Sequence, residues 1–167
     1  MKKIIAIAAA MLLTLTAFAQ KDGQKIYNKY SDAKGVSAVY MSPAMFRLMG
    51  SLPEMTVGEG EVNLTPIISS LSGLYIIDSE NPDINADIKR DVEHFVKSGK
   101  YEMLMEVKED GEVVHMFTTG TEEIVTGFVL LTYEAESCTF ICLDGQMPRE
   151  QLEIMISDSQ KKKEVSN

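Results

Sequence analysis

The chain has 167 residues, of which 45% are hydrophobic, and a formal net charge of −9 at pH 7. This length and apolar content fit one globular domain with a sizeable core. Because the phosphates of nucleic acids and anionic lipid surfaces repel so acidic a chain, we expect no binding to nucleic acid.

The first 19 residues have the pattern of a secretory signal peptide. Lys2 and Lys3 precede an apolar run over 4–18, and Ala17-Phe18-Ala19 forms an A-x-A cleavage site. We predict a mature protein that begins at Gln20, with a formal charge of −11 once the two lysines are removed. The apolar run is shorter than the ~20 residues of a membrane span, and no cysteine follows for a lipid anchor. The mature protein is therefore expected to be soluble, in the periplasm or outside the cell.

Periodicity and boundary residues predict the elements up to residue 100. They are a helix over 22–31, a strand over 36–41, a helix over 44–52, a mobile polar loop over 53–62, a helical turn over 65–71, a strand over 73–77 and a helix over 81–97. The last helix has the clearest signals. Asn81-Pro82 is a typical start, Gly99 is a stop signal, and the apolar residues in between recur at helical spacing: Ile84, Ile88, Val92, Phe95 and Val96.

The segment from Tyr101 to Leu143 contains four apolar runs separated by short polar breaks, which predicts a four-stranded antiparallel meander. Asp110-Gly111 suits a two-residue hairpin turn. That turn sets a register for the first two strands: Val107 opposite Val114, Glu106 opposite His115, Met105 opposite Met116 and Leu104 opposite Phe117.

The third run, over 123–133, is apolar on both sides, which is typical of a central strand that is covered on both faces. Gly127 within it indicates a bulge or a close backbone approach. The fourth strand is predicted over 138–143, followed by a turn at Asp144-Gly145. Pro148 then begins a final helix that docks on the sheet through Leu152, Met155 and Ile156.

These elements predict an α+β fold: a mainly antiparallel sheet with a C-terminal four-strand meander and helices layered on it. The expected organisation is a signal peptide over 1–19, a single α+β domain over 20–157 and a polar, frayed tail over 158–167.

The order of elements and three short stretches resemble a family of small exported Bacteroidetes proteins, the domain of unknown function 4252 family. The stretches are Tyr101-Glu-Met-Leu-Met-Glu-Val-Lys-Glu-Asp-Gly111, Phe128-Val-Leu-Leu131 and Phe140-Ile-Cys-Leu-Asp-Gly145, and the strand Val36-Ser-Ala-Val-Tyr-Met-Ser42 also fits. The resemblance implies the fold and export, and it carries no active site to this chain.

No catalytic residue is predicted, because the chain contains none of G-x-S-x-G, H-E-x-x-H or C-x-x-C. His94 falls on the polar side of its helix, and His115 pairs with Glu106 across the hairpin. Cys138 and Cys142 lie on one predicted strand roughly 13 Å apart. Because a disulfide needs Cα atoms within about 7 Å, we expect no bond between them.

Two groups of residues could in principle bind a metal ion, but neither predicts a metal site. Asp78, Glu80, Asp83, Asn85 and Asp87 offer oxygen ligands, but Ile88 stands where the EF-hand loop has glycine. Met41, Met45 and Met49 could attract Cu(I), yet methionine more often fills a core or lines an adaptable groove. No metal or cofactor site is therefore predicted.

These observations favour an exported, non-enzymatic module that binds another envelope protein. The alternatives are a periplasmic small-ligand or metal-binding protein and a hydrolase without a familiar motif. The methionine stripe is expected to pack partly inside and partly along a partner groove, beside the 53–62 loop.

Overall fold

The computed structural model describes residues 22–50, 56–57, 62–63 and 65–151. Its helices are α1 (Asp22–Tyr30), α2 (Pro43–Gly50), α3 (Thr65–Ser70) and α4 (Pro82–Ser98). Its strands are β1 (Val36–Met41), β2 (Thr56–Val57), β3 (Val62–Asn63), β4 (Leu71–Ser79), β5 (Glu102–Glu109), β6 (Glu112–Gly120), β7 (Ile124–Tyr133) and β8 (Cys138–Pro148).

Six of the strands form one antiparallel sheet in the order β1-β4-β8-β7-β6-β5, which confirms the predicted α+β fold. The predicted meander supplies four neighbouring strands, and β8 joins it to β4 and β1. The edges of the sheet are thus β1 on one side and β5 on the other. Strands β2 and β3 form a separate antiparallel pair, so the segment predicted as a loop contains a short ladder.

Helix α4 has the start and stop signals that its sequence predicts. The Asn81 side chain accepts a hydrogen bond from the Asp83 N–H, Pro82 stands in the first turn, and the Gly99 N–H bonds to the Phe95 carbonyl after the helix ends. Its inner side buries Ile88, Val92, Phe95 and Val96, as predicted. Together with α1, it covers one face of the sheet in the main core.

The β5–β6 hairpin confirms most of the predicted register. Asp110 and Gly111 have φ angles of 47° and 93°, as the predicted tight turn requires. Val107, Glu106 and Met105 pair as expected, but Phe117 pairs with Met103 and not with Leu104. A bulge at Leu104 shifts the register by one residue, a change that turn chemistry alone does not predict. At Gly127, where the sequence predicts a bulge or a close backbone approach, the β7–β8 register does shift between Val125 and Gly127. A Cβ at this position would also lie 2.6 Å from the Tyr101 hydroxyl oxygen.

The predicted turn at Asp144-Gly145 is wrong. Strand β8 continues through both residues to Pro148, because its neighbours on both sides extend that far: Asp144 pairs with Gly73 and Gly127, and Gly145 pairs with Leu71. Helical structure begins at Arg149 and not at Pro148. The signal peptide, Leu52, the residues predicted to dock the final helix and the polar tail lie outside the described residues.

Candidate interaction surface

The two faces of the six-stranded sheet differ sharply in burial. On the face toward α1 and α4, here called the helix face, adjacent strands place Ile77, Phe140 and Leu131 in one row, each 0% exposed. Phe95 of α4 meets Phe140 edge to face, with 6.4 Å between ring centroids. This face therefore supplies the main hydrophobic core.

The opposite face, here called the open face, carries an unbroken apolar row across all six strands. Its members pair in sequence across the sheet: Val39, Ile76, Ile141, Leu130, Met116 and Met105. Each lies one residue from a helix-face position and so points the other way. None of the six is buried: Val39 is 47% exposed and Met105 41%, and the four between them are partly exposed.

This asymmetry corrects the expectation that β7 is covered on both faces. Val129 and Leu131 are fully buried on the helix face, whereas Phe128 and Leu130 on the open face remain partly exposed. Among the described helices, α3 forms only a small cluster near the ends of β7 and β8, through Ile67 with its neighbours. The apolar residues on both sides of β7 thus indicate a surface as well as a core.

Strand β5 is the most exposed part of the sheet. All eight of its residues are exposed, including four large apolar side chains: Met103 (53%), Leu104 (53%), Met105 (41%) and Val107 (39%). As an edge strand it also has a row of backbone N–H and C=O groups that no strand of this sheet pairs. We call the open-face row and these β5 side chains together the interaction surface.

Helix α2 divides the predicted methionine stripe. Phe46 is 3% exposed and anchors the helix, Met41 and Met49 are partly buried, and Met45 and Leu48 are exposed. The helix thus buries Phe46 and leaves Met45 of the methionine stripe exposed. The exposed Met45 and Leu48 add apolar surface on the element that follows β1.

The Glu106–His115 pair forms as predicted. His115 is 8% exposed, and its Nε2 lies 2.8 Å from a Glu106 carboxylate oxygen, while Lys108 holds the other oxygen at the same distance. The hydrogen bonds from Lys108 and His115 keep the pKa of the Glu106 carboxyl below its usual value. Phe117 and Tyr133 flank the imidazole edge to face.

The other candidate residues of the sequence do not lie together in one site. His94 is exposed on α4, Asp83 lies in the first turn of that helix and donates its backbone N–H to the Asn81 cap, and Asn85 is buried at 7% exposure. Within the described ranges, no three His, Cys, Asp or Glu side chains lie close enough to hold a metal ion. Within the described residues Cys138 and Cys142 are not joined by a disulfide, and both are buried on the helix face.

Sequence reasoning identified the methionines and missed the open face. On β4, β7 and β8, the apolar residues of the open face alternate with core residues and are visible in the sequence. Only the pairing of the strands shows that these residues lie side by side in one row. None of the helices in the described part of the chain has the length and apolar character needed to cross a bilayer.

Comparison with known proteins agrees with the resemblance noted in the sequence. The family model described as "Domain of unknown function (DUF4252)" matches residues 30–155, more than half of the chain. Neither the curated proteins nor the solved structures contain a significant match. The chain belongs to the DUF4252 family.

Proposed function

We propose that the chain is an exported, non-enzymatic module of the bacterial cell envelope that acts by binding another protein. The observation that carries the proposal is strand β5, an edge strand with all eight residues exposed and four of them large and apolar. Large apolar side chains on the surface of a monomer are usually scattered singly, whereas a group of them on one element is typical of an interaction site.

The geometry of β5 favours a strand as the element that binds there. A partner segment added beside β5 would satisfy the unpaired backbone groups, and its alternate side chains would meet Met105 and Val107 on the open face. Each apolar side chain that the partner covers would contribute on the order of 1 kcal/mol, since about half of its surface is already buried.

The charges of β5 make this pairing selective. Glu106 and Lys108 alternate with Met105 and Val107, and the bulge at Leu104 interrupts a regular ladder. Charged residues and bulges on an edge discourage indiscriminate pairing, so only a strand with matching charges and register would fit. The acidic net charge of the chain favours a protein with basic residues over an anionic membrane.

A pair of matched substitutions tests the proposal. Val107→Glu puts a charge on β5, and His94→Glu adds the same charge to the exposed side of α4, away from the interaction surface. We expect both variants to fold with less than about 1 kcal/mol change in unfolding free energy, since both positions are exposed. Only Val107→Glu should reduce co-purification of partner proteins from the envelope fraction, measured by quantitative mass spectrometry.

Equal loss of partners in the two variants, or none in either, would remove the support for β5 as the binding element. Export is tested separately by the intact mass of the purified native protein. The proposal expects a chain that begins at Gln20 without an attached lipid. Retention of residues 1–19 would contradict it.

A further inference from the structure

A polar cavity of about 580 Å³ lies beside the end of β6. Three parts of the chain meet there: the connection from α4 into β5, the turn from β6 into β7, and Arg149 just after β8. This volume is within the range of ~300–1,000 Å³ that is usual for small-molecule sites. The cavity is separate from the apolar side chains of the interaction surface.

Four charged side chains line the cavity: Lys100 and Arg149 are cationic, and Glu102 and Glu122 are anionic. Within the described part of the chain, none of the four forms an ion pair with another. Two positive and two negative groups thus surround one cavity without neutralising each other. A ligand that carries both charges could satisfy all of them.

The cationic side of the cavity is held in place by the backbone. The Arg149 side chain donates through Nη2 to the Thr121 carbonyl oxygen at 3.0 Å, and the Arg149 backbone N–H donates to the Glu123 carbonyl oxygen at 2.9 Å. These two bonds fix the residue beside the β6–β7 turn. A guanidinium has five N–H donors, so this contact leaves others for a carboxylate ligand. Thr118, 3% exposed, also lines the cavity, and its hydroxyl donates to the Gly127 carbonyl oxygen at 3.2 Å.

Lys100 has a backbone conformation that is unusual for a lysine. Its φ angle of 54° lies in the left-handed region that commonly follows a helix end, where glycine is usual. A lysine there is less favourable than glycine by roughly 1 kcal/mol. The backbone alone would therefore favour glycine, whereas lysine places an ammonium group on the cavity wall.

We propose that this cavity binds a small zwitterion, namely a free amino acid or a short peptide. Lys100 and Arg149 receive its carboxylate, and Glu102 and Glu122 receive its ammonium group. The two glutamates would repel phosphate, and an apolar molecule would bury four charges without partners. This binding would be additional to the protein contacts proposed above and uses none of the same apolar side chains.

The test is NMR titration of the mature protein with free amino acids and with alanyl-alanine, followed by two capped forms of whichever probe binds. Acetylation removes the ammonium group and amidation removes the carboxylate, so each capped form should bind at least tenfold more weakly. The shifted amide signals should belong to residues around the cavity. Lys100→Gly and Arg149→Gln should each weaken binding roughly 10- to 100-fold, as expected for losing a charged hydrogen bond.

Lys97→Gln is the matched control, because it removes one exposed positive charge of α4 outside the cavity lining. Its affinity for the probe should be unchanged. Lys100→Gly is informative even if Arg149→Gln fails to fold, since glycine relieves the backbone cost at this position and should raise the melting temperature. The proposal is overturned if no probe binds, if the capped forms bind as well, or if Lys100→Gly leaves the affinity intact.

Discussion

The same substitution, leucine to alanine, at one buried and one exposed position of the sheet compares how much the core and the exposed edge contribute to stability. Leu131 on β7 is 0% exposed and faces α4, between its strand partners His115 and Phe140. Leu104 on β5 is 53% exposed. We predict that Leu131→Ala lowers the unfolding free energy by roughly 3–5 kcal/mol, because the surrounding core cannot close over the lost volume.

The same change at Leu104 removes a side chain that is already half in water and leaves no enclosed cavity. It should cost less than about 1 kcal/mol. For a domain of roughly 150 residues, 1 kcal/mol corresponds to about 2–4 °C in Tm, so the two variants should melt at least ~4 °C apart. Urea unfolding followed by circular dichroism gives both free energies, and the slope of the transition checks that the two unfold alike.

If Leu131→Ala does not fold, Val129→Ala, also at 0% exposure, is the milder substitute in the same core. A Leu104→Ala variant as destabilised as the core variant would mean that Leu104 is covered in solution by the rest of the chain. The interaction surface would then not reach β5 in the form described here.

Three further outcomes follow from the structure. Burial raises the pKa of the Cys138 thiol to about 11 from 9.0, so this thiol should resist alkylation in the native state at pH 8, and rapid labelling of the native protein would contradict this. The stability that comes from keeping the thiol protonated should be fully present below pH 9 and lost as the pH rises toward 11. Gly120→Ala should lower the free energy of chemical unfolding by roughly 3 kcal/mol or more, because the added Cβ would lie 2.2 Å from the Ile124 carbonyl oxygen. Gly111→Ala should lower it by only about 1 kcal/mol, because nothing lies within 4 Å of the added Cβ, and equal losses would refute the steric argument. Phe46→Ala should lower the unfolding free energy by about 3–5 kcal/mol and Met45→Ala by less than about 1, and the reverse order would mean that α2 buries its other side.

Local chemistry was sufficient to predict much of the fold. Asp110-Gly111 fixed a turn, and with it most of the β5–β6 register, because few dipeptides adopt positive φ at both positions. Asn81 and the apolar spacing after it located α4 to within a residue or two. Both features depend on residues that are close together in the chain.

The rest depends on pairing between distant segments. Asp144-Gly145 has the composition of a turn, yet β4 and β7 extend alongside it and hold it in the sheet. No local pattern gives a strand order in which β8 lies between β4 and β7. The open face has the same origin: apolar residues on both sides of β7 predict two covered faces, and only the placement of α1 and α4 decides which face these two helices cover. The charged cavity likewise combines Lys100 with Arg149, which are nearly fifty residues apart in sequence.

Photocrosslinking in living cells tests the central claim, that the chain binds a partner protein through β5, most directly. A photoreactive phenylalanine analogue at Val107 places the probe on the exposed edge strand, and the same analogue at His94 places it on the outer side of α4. The account predicts a discrete crosslinked product with one other envelope protein from position 107 and none from position 94. Products of equal yield from both positions, a crosslink from 107 only to a second copy of this chain, or no product from 107 would contradict it.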